Sequence, residues 1–107
     1  MTDQPYTLAR WFVRPGAEEA FVAAWHGLAA VFLALKAPPR WGTLLRSTED
    51  PRLFYSFGPR PSVETIAAMR APSRVAAALG RLTALCEMTE FGTYLVAAVA
   101  GGAPRVV

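Results

Sequence analysis

Proline cuts this chain into short pieces, and the breaks decide what it can fold into. Pro15-Gly16, Pro38-Pro39, Pro51, the run Gly58-Pro59-Arg60-Pro61 and Pro72 separate segments of different character. Proline lacks a backbone donor and fixes its own φ, so neither a helix interior nor a central strand runs through it. Residues 6–13 (YTLARWFV), aromatic and β-branched, read as a strand that stops at Pro15-Gly16. Glu18 and Glu19 then open a helix, where negative charge meets the positive end of the dipole, and it runs to about Lys36. Residues 41–48 (WGTLLRST) and 53–57 (LFYSF) are strand-like runs joined through Glu49-Asp50-Pro51-Arg52, which predicts a hairpin. Ser62 can cap a short helix that Pro72 ends. Ser73 can cap a second one, with Val75, Leu79, Leu82 and Cys86 as its inward stripe and Arg74 and Arg81 reaching water. Residues 91–99 (FGTYLVAAV) read as a last strand, and no pattern follows Gly101.

The order is strand, helix, strand, strand, broken helix, strand. It predicts one α+β domain over 1–107, with a core of about 6–99 and a tail at 100–107. The arrangement is ferredoxin-like βαββαβ, a four-stranded antiparallel sheet with its helices on one face. The other face of such a sheet is normally polar. Here Tyr6, Leu8 and Phe12 alternate with Ala9, Trp11 and Val13, and Leu53, Tyr55 and Phe57 alternate with Phe54 and Ser56. Both registers are mostly apolar. The expectation is a homodimer packed through the sheet face.

The first helix carries its own information. Residues 20–35 are almost free of charge, yet shorter than the roughly 20 residues a bilayer span needs, and His26 lies among them. A secretory leader would place positive charge where Glu18 and Glu19 stand. No membrane association and a cytoplasmic location are the expectations. At 100° per residue, Phe21, Trp25, Leu28, Phe32 and Leu35 form one stripe for the core, and Ala20, Ala23, Ala24, Gly27, Ala30 and Ala34 gather opposite. His26 sits on the flank with Val22, Ala29 and Leu33. No other side chain in the chain has an ordinary pKa near neutrality, so a general base working near pH 7 would be His26.

Composition narrows the classes further. The chain is 53% hydrophobic and 18% charged, more apolar than a typical soluble domain. Its eleven Lys and Arg give a net charge of +3 but form no basic block, which argues against nucleic acid as a partner. The run Arg52-Leu53-Phe54-Tyr55-Ser56-Phe57 has the aromatics of an RNA-recognition strand without the glycine after its basic residue. The single Cys86 can form no internal disulfide and no cysteine-rich metal cluster.

The segments FVRPGAEEAFVAAW (12–25), GTLLRSTEDPRLFYSFGPRPSVETI (42–66) and FGTYLVAAV (91–99) together resemble the antibiotic biosynthesis monooxygenase family. The resemblance implies a dimeric α+β barrel, two ferredoxin-like protomers with their sheets packed together and a pocket in each between sheet and helices. It also implies a monooxygenase that acts with molecular oxygen on a small aromatic, polyketide-like or quinol-type metabolite, without a cofactor and without a metal. Some relatives degrade haem, holding its iron with a histidine on the second helical segment. This chain has none there. On this reading His26 or Tyr55 assists proton removal and Arg46 stabilises the oxyanion, with Arg60 as the other cation able to do so. Trp11, Trp25, Trp41, Phe57, Met69 and Tyr94 wall the substrate site. Arg46 stands out because it interrupts an apolar strand, where a charge needs a partner or a ligand. The alternative is a non-catalytic small-molecule-binding dimer of the same fold. What favours it is that the chain contains no asparagine, which well-understood members place on the first strand beside a tryptophan.

Overall fold

Nine consecutive residues with alternating burial make β1 (Pro5–Val13) the centre of the molecule. The structure, a computed structural model, describes residues 4–35, 38–39 and 41–101. After β1 come α1 (Glu18–Leu33), β2 (Thr43–Arg46), β3 (Leu53–Pro59), α2 (Val63–Arg70), α3 (Ser73–Ala84) and β4 (Cys86–Leu95). The strands lie in the order β2-β3-β1-β4, and every neighbouring pair is antiparallel. This is the ferredoxin-like arrangement that the proline breaks predict.

Alternation sorts the sheet into two faces. Ala9, Trp11 and Val13 point toward the helices together with Phe54, which is paired with Trp11 across β3. They meet Phe21 and Leu28 of α1 and Val75, Ala78 and Leu82 of α3 in one continuous core. The Trp11 and Phe21 rings are 5.4 Å apart, and Phe21 and Phe54 5.0 Å. Burying an indole N–H requires an acceptor, and Ser56 Oγ supplies it at 2.9 Å.

The other face carries Tyr6, Leu8, Arg10 and Phe12 of β1, opposite Leu53, Tyr55 and Phe57 of β3 and Met88, Glu90 and Tyr94 of β4. It is mostly apolar, with a polar cluster at its middle and the Arg52 guanidinium over the Phe12 ring, 4.3 Å from its centroid. Arg10 Nε donates to Tyr55 Oη at 3.2 Å, and its guanidinium pairs with Glu90 at 3.7 Å. Leu45 and Tyr94, toward the two edges, remain 51% and 55% exposed.

The connections follow local chemistry. The chain leaves β1 through a turn at Gly16, whose φ of 83° favours a residue without Cβ. Ser47 Oγ accepts from the backbone N–H of Glu49 and Asp50, and Asp50 Oδ1 accepts from that of Arg52, which folds the polar hairpin loop on itself. Ser62 caps α2 in a reciprocal capping box with Thr65.

Four expectations need correction. Ser73 is the first helical residue of α3 and makes no side-chain cap; the N-cap position belongs to Pro72, whose backbone is extended there. Cys86 stands on no helix, since it begins β4 and faces the core from there. β4 itself starts five residues before the expected 91 and ends at Leu95 rather than 99. Cys86-Glu87-Met88 has a helix-prone composition, but pairing with Phe12 and Val13 and the Arg10–Glu90 contact draw it into the sheet. α1 keeps its expected stripe, with Phe21 and Leu28 buried and Ala20, Ala23, Gly27 and Ala30 exposed. It ends earlier than expected, at Leu33 with Ala34 as its C-cap rather than near Lys36; the tail beyond Gly101 lies outside the described residues. Among the described residues no helix is long and apolar enough to cross a membrane.

Candidate active site

A cavity of about 420 Å³ lies between the second half of α1 and the sheet. That lies within the range of small-molecule sites. Sequence explains the gap. α2 is short and packs mainly on α3, and among the described residues the volume bordered by Ile66 and Met69 stays open. The floor is Ala9 and Trp11 of β1 with Ser56 of β3, and the walls are Trp25, Leu28, Ala29 and Phe32 of α1 and Phe91 of β4. Trp41 and Gly42 close one side. They can do so because the next strand offers Gly58, where a Cβ would stand 2.5 Å from the Trp41 carbonyl oxygen. The Trp41 ring meets Tyr6 edge-on at 6.1 Å and Phe57 at 5.7 Å.

Few polar groups reach this space. The Ser56 hydroxyl is engaged by Trp11, which leaves Thr7, His26, Arg60 and Arg70. Among the described residues no carboxylate lines it. His26 lies on the exposed flank of α1 and borders the cavity, with its ring 5.8 Å from that of Trp25. Arg60 follows β3 directly; its Nη1 donates to Pro59 O at 3.0 Å and its guanidinium lies 5.7 Å from the Phe32 ring centroid. Burial, and then the charge of Arg70, hold the Arg60 pKa below its ordinary value. Arg70 sits in the last turn of α2, 5.7 Å from the ring of Phe91.

The structure brings together His26, Trp11, Trp25, Trp41 and Met69 of the predicted set, with Arg60 beside them; Phe57 also borders the cavity, although it alternates onto the other face with Tyr55. It places three others elsewhere. Arg46 is at the exposed end of β2, its Nε donating to Pro51 O at 2.9 Å and its guanidinium 5.3 Å from the Phe54 ring. A strand end satisfies the charge locally, so this arginine needs no ligand. Tyr55 and Tyr94 are on the face away from the helices, bordering a shallow hollow with Leu8, Arg10, Glu90 and Gly92. Alternation decides this, because Phe54 and Ser56 take the cavity side.

Sequence reasoning missed Arg70, Phe91 and Ile66 as lining residues. One signal was available. Ile66, Met69 and Arg70 are spaced i, i+3 and i+4 on one helix, so whatever Met69 faces, its neighbours share.

No protein-family model and no characterised protein sequence matches the chain. Its likeness to solved structures is in the fold. SnoaB, a cofactor-independent oxygenase from Streptomyces nogalater, superposes with a TM-score of 0.81 at 20% identity over 92% of this chain and 97% of SnoaB. A variant of SnoaB gives 0.83 at 19% identity over the same shares. A provisionally named antibiotic biosynthesis monooxygenase from Bordetella bronchiseptica gives 0.78 at 15% identity, covering 91% of this chain and all of that one.

Proposed function

Given that the chain has the fold of the antibiotic biosynthesis monooxygenases, we propose that it is a cofactor-independent oxygenase acting on a small aromatic or quinol-type molecule. The observation that carries this is the cavity itself, walled by aromatic rings and bordered by an exposed histidine. A flat, electron-rich molecule would lie between Trp11, Trp25, Phe32 and Phe91, out of bulk water. His26 would take a proton from its acidic C–H or O–H. For a CH2 between two aromatic rings and opposite a ring carbonyl, as in an anthrone, the resulting anion reduces O2 and combines with it. Loss of water from the hydroperoxide leaves a carbonyl. One oxygen atom ends in the product and the other in water, so no external reductant is required. The apolar walls serve the anion twice, by positioning its rings and by keeping water from the oxygen intermediate.

The same reading supplies a partner. A second copy packed against the apolar sheet face would cover Leu8, Phe12, Leu45 and Tyr94 and enclose the Arg10–Tyr55–Glu90 cluster. Sedimentation should then give twice the chain mass, and Tyr94→Lys should shift it toward monomer.

Dissolved-oxygen uptake by chelator-treated protein, offered a panel of anthrones and quinols, tests the chemistry. Uptake above the spontaneous rate, lowered by about 100-fold or more in His26→Ala, is the expected result. Uptake unaffected by that substitution would remove His26 from the mechanism. Ligand binding without uptake would favour the non-catalytic binder, the reading supported by the absence of asparagine from the chain.

A further inference from the structure

Proton removal and oxygen chemistry leave the charge of the cavity unexplained. Among the described residues two guanidiniums border it and no carboxylate does. Among the described residues the ion pairs are Arg10–Glu90 and Arg52–Glu87, so neither Arg60 nor Arg70 is neutralised. Each lies over an aromatic wall, Arg60 over Phe32 and Arg70 over Phe91. Collecting like charges at an apolar cavity is unfavourable, and the depressed pKa of Arg60 records it, through burial first and Arg70 second.

Local structure explains part of this. Arg60 holds the carbonyl of Pro59, and Arg70 suits the negative end of the α2 dipole. Neither interaction requires the two groups to border the same cavity. An oxyanion that exists only during a reaction would be met by one cation. Two unpaired ones suit an anion that is always present.

We propose that Arg60 and Arg70 form an anion-binding end of the cavity and that the molecule it takes is a flat aromatic carboxylate. The rings would lie against Phe32, Phe91 and Trp11, and the carboxylate between the two guanidiniums, whose planar donor pairs match its oxygens. The inference rests on the cavity being the substrate site, but it does not require turnover.

Binding of 9-anthracenecarboxylate and of 9-anthracenemethanol, compared by calorimetry at low and high salt, tests it. The two share a ring system, differ in charge, and lack the activated CH2 of an anthrone. The acid should bind about tenfold or more tighter than the alcohol, with the advantage shrinking as salt rises. Arg70→Met should remove most of that advantage without weakening the alcohol, and Arg70→Lys should restore part of it. Arg60→Met should act in the same direction; if it fails to fold, the exposed Arg70 decides alone. Equal affinity for the two probes, an advantage that survives Arg70→Met, or binding of neither probe by folded protein would overturn the proposal. Absence of oxygen uptake would not touch it, which separates its failure from that of the oxygenase reading.

Discussion

The layer between the helices and the sheet has two ends built from similar residues with opposite results. At one end Phe21 of α1 is fully buried, its ring close to those of Trp11 and Phe54, and Val13, Val75 and Leu82 fill the space around it with no exposure at all. At the other end Trp25, Leu28 and Phe32 of the same helix face a cavity. The stripe on α1 is continuous, so the helix is not the cause. What differs is the opposite wall. α3 is twelve residues long and packs directly on α1, whereas α2 has eight and leans on α3. A binding site here is a shortage of helix on one side of an ordinary core.

Truncating one ring at each end should break the symmetry of the stripe. Phe21→Ala removes a side chain with neighbours on every side and should cost about 3–5 kcal/mol in urea denaturation. Phe32→Ala deletes a ring that borders open space and should cost no more than about 1 kcal/mol. It should weaken an aromatic ligand instead. Equal losses at the two positions would mean that the hollow end is as closely packed as the other.

A second pair sharpens the account of how the hollow end is closed. At Gly58 an added Cβ would stand 2.5 Å from the Trp41 carbonyl oxygen and 3.2 Å from the Gly42 Cα, both backbone atoms with little room to yield. Gly58→Ala should therefore cost about 1–3 kcal/mol and, by pushing Trp41 aside, loosen ligand binding as well. At Gly42 the nearest atom would be Trp25 Cζ2 at 3.9 Å, an ordinary contact. Gly42→Ala should stay within about 0.5 kcal/mol. Similar effects from the two alanines would remove the close approach at Gly58 as the reason for the loop's position.

These contrasts show what could be read from the sequence and what could not. Breaks and alternation are local properties, so Pro15-Gly16, Pro72 and the YTLARWFV pattern predicted the element order and the two-faced sheet. The core stripe of α1 was legible for the same reason. Which part of that stripe packs and which borders a cavity depends on where α2 and α3 settle against it, a nonlocal matter that Phe21 and Phe32 do not encode. Arg46 misled because a charge inside an apolar run looks buried, and only the end of β2 shows that it is not. Arg70 was passed over for the opposite reason. A cation in the last turn of a helix has a sufficient local explanation, which hides the fact that it borders a cavity shared with Arg60.

The filled end also contains Cys86, and its thiol gives the smallest of the expected effects. It is 5% exposed, and burial pushes its pKa from the ordinary 9.0 up to about 11, with the charge of Arg14 opposing. The unfolded chain would lose this proton first. Well below the ordinary value of 9.0 both states keep it and no slope arises. Between there and about 11 the unfolded state is favoured by ionisation that the folded state resists, so stability falls as pH rises. Cys86→Ala should lose that part of the alkaline slope while retaining the rest. Iodoacetamide should label the native thiol far more slowly than the thiol in urea. Rapid labelling of the native protein would mean that this end opens readily. The distinction between a closed end and an open one would then be a matter of time scale rather than of packing.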